Sequence, residues 1–146
     1  EGGYEDYIAR DVSEKWGYML KRGATTFWET WRGDDAVSHN HPMFSAPVKH
    51  LFVSFLGIHP IPAEKRVLIC PRYAGVQSCR GKVRLFGQEI EVEEEFADGA
   101  LSRVCVLLPA RAEGVSVELK IGRKKYSVRD GCFILRKNRK NQMTSV

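Results

Sequence analysis

The hydrophobic period changes once along this chain, near residues 60–65, and that change limits the folds open to it. Beyond the border, Lys82-Val83-Arg84-Leu85-Phe86 and Glu89-Ile90-Glu91-Val92-Glu93 alternate charged with apolar residues. A period of two puts one face of a strand in water and the other in a core. Gly87-Gln88 between them reads as a hairpin turn. A short apolar strand, Val67 to Cys70, is closed by Pro71, and further strands are expected over 101–108, 115–121, 125–128 and 132–135. Asp98-Gly99, Pro109-Ala110, Gly122-Arg123 and Asp130-Gly131 separate them. Short strands punctuated in this way predict a small antiparallel β-sandwich.

Before the border the period is helical. Tyr4, Tyr7, Ile8, Val12, Trp16, Met19 and Leu20 recur three and four apart, which predicts helix over 4–22, with Ser13 placed to cap a second helix inside it and Gly23 as its stop. The β-branched and aromatic run Thr25-Thr26-Phe27-Trp28 favours an extended segment over 24–31. Arg32-Gly33-Asp34-Asp35 reads as a turn. The next helix is expected at 44–57, with Val48, Leu51, Phe52, Phe55 and Leu56 on its buried face. Gly57 ends it, and His59-Pro60-Ile61-Pro62 reads as a stiff linker. The fold class is therefore mixed: a helical hairpin over 1–62, then a β-sandwich over 63–146. Two helices alone leave apolar faces without a partner. Together with a first residue of Glu1 rather than Met, this suggests a piece of a longer protein.

Charge divides along the same border. The net charge is +5, but residues 1–62 carry 6 Lys/Arg against 8 Asp/Glu and residues 63–146 carry 17 against 10. The basic excess lies in Arg123-Lys124-Lys125, at a turn, and in Arg136-Lys137-Asn138-Arg139-Lys140, near the C-terminus. Such placement fits solvated edges better than a nucleic-acid surface. Glu91, Glu93 and Glu95 share one strand face, opposite the cations of neighbouring strands. No apolar run is long enough to span a bilayer, and no partner membrane is expected. No signal peptide is visible, which leans toward the cytoplasm. The four cysteines show no zinc-like spacing, so no metal or other cofactor is expected. Cys70, Cys105 and Cys132 sit in apolar strand-like runs, where reduced, buried thiols are favoured.

Chemistry concentrates in residues 23–41. Glu29 stands among Phe27, Trp28 and Trp31, and Ser38-His39-Asn40-His41 follows. Two readings fit these residues equally. In one, a carboxylate in an aromatic wall faces a sugar or moves a proton; in the other, the aromatics fill a core and Glu29 reaches solvent.

Gly23-Ala24-Thr25-Thr26-Phe27-Trp28-Glu29-Thr30-Trp31, preceded by Trp16-Gly17-Tyr18-Met19, resembles the C-terminal end of bacterial α-L-rhamnosidases, glycoside hydrolase family 78. Ser38-His39-Asn40-His41, Gly57-Ile58-His59-Pro60 and Arg66-Val67-Leu68-Ile69-Cys70-Pro71 follow in that family's order. The resemblance covers the first seventy residues and thins beyond them. It implies the end of an (α/α)6 barrel followed by an accessory β-sandwich, and hydrolysis of terminal α-L-rhamnosides with inversion. An inverting enzyme sets its acid and base roughly 6.5–9.5 Å apart, leaving room for the attacking water. By resemblance Glu29 is the general base. Trp28 and Trp31 offer flat faces to the sugar, and Asn40 and His41 hold a substrate hydroxyl or orient the loop. The implied partners are a rhamnose-containing glycoside and the upstream part of the barrel. His39 stands where the family more often has an apolar residue, and Pro42 and Pro47 stiffen the loop that aims His41. No residue here matches the family's general acid, so the chain alone is expected to be inert. The alternative is a carbohydrate-binding or structural module that performs no catalysis.

Overall fold

The computed structural model describes residues 4–31, 38–108, 114–128, 131–135 and 143–145. The first helical segment is unbroken. It runs as α1 (Glu5–Asp11), a widened π-helical stretch (Val12–Trp16) and α2 (Gly17–Lys21). Ser13 lies inside the wide turns and starts no second helix, because no breaker interrupts the apolar period there. The second segment starts two residues earlier than its period suggests, with a 3₁₀ turn over Pro42–Ser45, then α3 (Ala46–His50) and a π-helical stretch over Leu51–Phe55. Pro42 and Pro47 both occupy first-turn positions, where a missing N–H removes no helical bond.

The buried face of this second segment is narrower than expected. Leu56 is buried and Phe52 and Phe55 are half-buried, whereas Val48 and Leu51 are exposed. The cause is the wide turn, in which Leu56 N–H donates to Leu51 O, five residues back, at 3.3 Å. A stripe laid out for 3.6 residues per turn cannot stay on one side through such a turn. The expected Arg32–Asp35 turn falls outside the described residues.

The β domain is a sandwich of two sheets. One has the order β1 (Ile58–Ile61), β2 (Arg66–Ile69), β6 (Ser116–Ile121), β7 (Lys124–Val128). The other runs β3 (Ser78–Leu85), β4 (Gln88–Ala97), β5 (Ala100–Leu107), β8 (Gly131–Leu135), β9 (Met143–Ser145). Three expectations are corrected here. The stretch read as a linker is β1, paired with β2 in the register Ile58↔Ile69 to Ile61↔Arg66. It is an edge strand, where Pro60 can lack an N–H without breaking a ladder. The pairing of β2 with β6 is parallel, so that sheet is mixed rather than antiparallel throughout. The first hairpin turns at Phe86-Gly87, one residue earlier than read, because Leu85 pairs with Gln88. Both turn residues have positive φ, 52° and 80°, as a type I′ turn requires. A slip of one residue would send the apolar face of β4 into water.

Val67, Ile69, Ile90, Val92, Val104, Val106 and Leu119 form the centre of the core, all with no exposure. The outer face carries the expected ion pairs. Arg80 meets Glu91, Lys82 meets Glu89 at 3.1 Å and Glu91 at 3.5 Å, and Arg103 meets Glu95 at 2.7 Å and Glu93 at 3.4 Å. Pairs this exposed add little stability and chiefly keep the sheet face soluble. The cysteines depart from the all-reduced expectation. Cys70 and Cys79 are thiols outside any disulfide, but Cys105 is disulfide-bonded, and the strand register sets it opposite Cys132.

Two features join helix to sandwich. Leu56 packs into the space left by Gly81 on β3, so a Cβ there would collide with Leu56 Cδ1. Gly57 then turns with φ 57°, and its carbonyl accepts from Cys70 N–H at 2.9 Å. A Cβ on Gly57 would overlap the Cys70 carbonyl.

Beneath this junction lies Glu94, the one acidic residue of β4 on its inward face and wholly buried. Cys79 Sγ donates to Glu94 Oε2 at 3.7 Å and to Phe55 O at 3.4 Å. Glu94 Oε1 has no hydrogen-bond partner. Burial raises the Glu94 carboxyl to about 8. Burial first, then the neighbouring carboxylate, raises the Cys79 thiol to about 12.

Two outcomes follow from this packing. Between the ordinary carboxyl value of 4.5 and about 8, the folded state keeps a proton on Glu94 that the unfolded chain releases. Stability should therefore fall as pH rises through that window, by at most about 1.4 kcal/mol per unit, and level off above it. In urea unfolding at a series of pH values, Glu94→Gln should flatten this slope; an unchanged slope would place its source elsewhere. Gly57→Ala should cost about 1–2 kcal/mol in left-handed backbone strain and about 1–3 kcal/mol more from the overlap with Cys70. The same unfolding measurement reads both contributions together.

Candidate functional site

The site is built where the first helix stops. Arg22 leaves the helical region, and Gly23 takes φ 82°. Gly23 N–H donates to Leu20 O and Ala24 N–H to Met19 O, each at 3.0 Å. These are the two bonds of a Schellman cap, which satisfies the last helical carbonyls and sends the chain off at a sharp angle. Residues 25–31 follow without regular structure, and bends at Thr25-Thr26 and over residues 29–31 replace the extended run expected there.

This irregular segment is joined by hydrogen bonds to residues 38–41. His41 N–H donates to Phe27 O at 2.6 Å and Glu29 N–H to Ser38 O at 2.8 Å. The Thr26 hydroxyl donates to His39 O. The result is a strap of two antiparallel segments. Glu29 sits on it with an exposed side chain, and its Oε2 accepts from Ser38 N–H at 3.1 Å. The carboxylate is therefore held at both backbone and side chain by one residue, and still faces solvent.

The indoles do not enclose Glu29 as a sandwich. Trp28 is 6% exposed and stacks on His39, with ring centroids 4.7 Å apart and planes at 22°. Trp31 meets Trp16 edge to face at 4.5 Å and Phe44 at 5.1 Å, and Lys15 Nζ lies 5.4 Å from its centroid. Trp16 Nε1 donates to Phe44 O at 2.9 Å, and His41 stands 6.0 Å from the Phe44 ring. Trp31 and His41 thus back the strap against both helical segments. Asn40 is exposed beside it, with its N–H donating to Ser38 Oγ at 3.3 Å.

An open cleft of ≈ 580 Å³ lies next to the strap, lined by residues 21–26, Trp28 and His39. Glu29 is not among its lining residues. Of the site residues expected from sequence, Trp28 alone lines the cleft, and Glu29 and Asn40 are exposed on the strap. The sequence reading passed over Ser38, Lys21 and Arg22 as site residues. Nothing local announces that Ser38 returns to Glu29 across nine positions. The departure at His39 was the available signal for its stack on Trp28.

Residues 4–54 match the family model described as the bacterial alpha-L-rhamnosidase 6 hairpin glycosidase domain. A solved structure of Streptomyces avermitilis alpha-L-rhamnosidase complexed with L-rhamnose superposes with a TM-score of 0.64 at 21% identity, covering 80% of this chain and 12% of that one. No curated protein matches the chain. The chain thus spans a small share of the solved enzyme's length and has the fold of that share. The match over 4–54 includes the capped helix end, Glu29 and the strap, so the similarity to that hairpin domain lies in the helical part of this chain.

Proposed function

We propose that this chain supplies one wall of the active site of an inverting glycoside hydrolase acting on terminal α-L-rhamnosides, with Glu29 as the general base. The observation that carries this reading is the fixed, solvent-facing carboxylate of Glu29 on a strap inside the family match. A base needs an exposed oxygen to receive a proton from water, and a frame that stops it wandering. The bond to Ser38 occupies Oε2, so Oε1 is the oxygen offered to the attacking water. The general acid would come from the upstream part of the barrel, roughly 6.5–9.5 Å across the sugar ring.

In this reading residues 1–62 are the closing helices and catalytic loop of an (α/α)6 barrel, and 63–146 an accessory β-sandwich. Trp28, Asn40 and His41 bind the sugar, with Trp31 behind them. The exposed apolar side chains of the helical part, Tyr4, Tyr7, Leu20 and Met43, are suited to burial against the rest of that barrel. The solved relative's complex with L-rhamnose supports a rhamnose-containing glycoside as the ligand.

One observation favours a second reading, that of a sugar-binding module without catalysis: the cleft is lined by Trp28 and His39 but not by Glu29. A kinetic experiment separates the two. In the longer protein that contains this chain, Glu29→Gln should lower kcat for an aryl α-L-rhamnoside by about 100- to 10,000-fold, with KM within a few-fold of wild type. Unchanged turnover would retire Glu29 as the base. Retained binding of L-rhamnose in that case would leave the module reading standing.

A further inference from the structure

The end of the second helical segment lands on the inward row of β3. Gly81 takes Leu56, and two residues earlier on the same face Cys79 meets Phe55. Across the ladder from these two stand Val92 and Glu94. Ile90, Val92 and Phe96, the other inward residues of β4, are buried apolar side chains, and Glu94 is as deeply buried as they are. An apolar residue would fill its place without leaving an oxygen unpartnered, as Oε1 is.

The Cys79 thiol has a single hydrogen and two acceptors in reach, Phe55 O at 3.4 Å and Glu94 Oε2 at 3.7 Å. With Glu94 protonated, its O–H donates to Cys79 Sγ and the thiol hydrogen goes to Phe55 O. With Glu94 ionised, the carboxylate has no hydrogen to give and draws the thiol hydrogen to itself. Phe55 O, one of the last carbonyls of the helical segment, then loses this donor. From β3 the Cys79 thiol faces Glu94, and from β5 its ladder neighbour is the apolar Val104. His50, on the helical segment, is bonded to Ser54. The opposite sheet turns Ile58, Val67, Ile69, Val117 and Leu119 inward. Among the described residues no charged group acts on the Glu94 carboxyl, so a carboxylate there has only the thiol to stabilise it.

We propose that Glu94 and Cys79 form a proton-operated latch between the helical part and the sandwich: the carboxylic acid holds the end of the second helical segment on β3, and loss of its proton to water releases that end while the sheets stay folded. Release confined to the junction is distinct from global unfolding, in which both parts melt together. The latch lies behind the strap, so its state sets how firmly the helical part is held. It stands whether or not Glu29 is a catalytic base.

Amide hydrogen exchange of the chain between about pH 5 and pH 9, corrected for the intrinsic pH dependence of exchange, tests the latch. Leu56 N–H and Cys70 N–H, which donate to Leu51 O and Gly57 O, report the junction; amides of the β4–β5 ladder report the sheets. The junction should open more readily than the ladder. Its protection should fall as pH rises, by up to about tenfold per unit for one proton released on opening. The fall should level off above about 8, where the closed state has lost that proton too. In Glu94→Gln the side-chain N–H serves Sγ at every pH, so junction protection should stay flat. Cys79→Ser should keep the junction closed, whereas Cys79→Ala should lower its protection at about pH 5 by about two- to tenfold. A flat junction profile in the wild-type chain, a slope that survives Glu94→Gln, unchanged protection in Cys79→Ala, or junction and ladder amides exchanging at one common rate would each overturn the latch. Should Glu94→Gln fail to fold, the carboxyl carbon of Glu94 decides. Its titration midpoint in the wild-type chain must coincide with the pH at which junction protection levels off, and any other midpoint overturns the assignment.

Discussion

The close approach of helix and sandwich depends on one buried side chain and two glycines, with Phe52 packed beside them. Leu56 leaves the second helical segment through a widened turn and enters the space that Gly81 leaves on β3. Gly57 then reverses the chain against the backbone of Cys70. Apolar burial supplies the attraction, and the missing Cβ atoms allow the distance. Either glycine replaced by a larger residue would push the helix off the sheet. Leu56 belongs to the same buried cluster as Val67, Ile69 and Leu119, so the helical segment is anchored in the core of the sandwich rather than laid on its surface.

From that anchor the strap takes its position in steps. Phe44, at the start of the second helical segment, accepts a hydrogen bond from Trp16 and meets Trp31 edge to face. Trp31 in turn meets Trp16. Edge-to-face aromatic contacts have preferred geometries, so this cluster fixes the angle between the two helical segments as well as their spacing. The strap is tied to the cluster by Trp31 and His41, and Glu29 to the strap through Ser38. A carboxylate exposed to water is in this way held by a chain of contacts that reaches the sandwich core. Catalytic groups on loops need such support from rigid elements behind them.

Much of this was legible from period and punctuation. The alternation in 82–93 determines both the strand and which of its faces is wet, and Gly23 marks a helix end that the Schellman bonds explain. What was not legible depended on partners distant in sequence. The residues 59–62 look like a linker because two prolines discourage ladder pairing; they form a strand because an edge position asks for fewer N–H groups. Val48 and Leu51 fit a helical stripe that a π turn then displaces. Glu94 sits within an acidic run whose other members are solvated, and only the phase of the alternation places it inside. In the site, Glu29 stands out in its motif, but its surroundings were not readable there. The flanking indoles suggested enclosure, whereas each ring found a nearer partner, His39 for Trp28 and Trp16 with Phe44 for Trp31.

The parallel pairing of β2 with β6 has a consequence for how the chain assembles. Arg66 lies beside Ser116, and the three strands β3, β4 and β5 of the opposite sheet are threaded between them. The first sheet cannot close by local zippering. Its β1–β2 hairpin must wait, with one rim uncovered, until the intervening meander has formed and delivered β6 alongside. Closing so long a loop makes late, slow consolidation the natural course for this sheet. During synthesis, β2 would gain one neighbour at once from β1 and the other only after β6 has emerged.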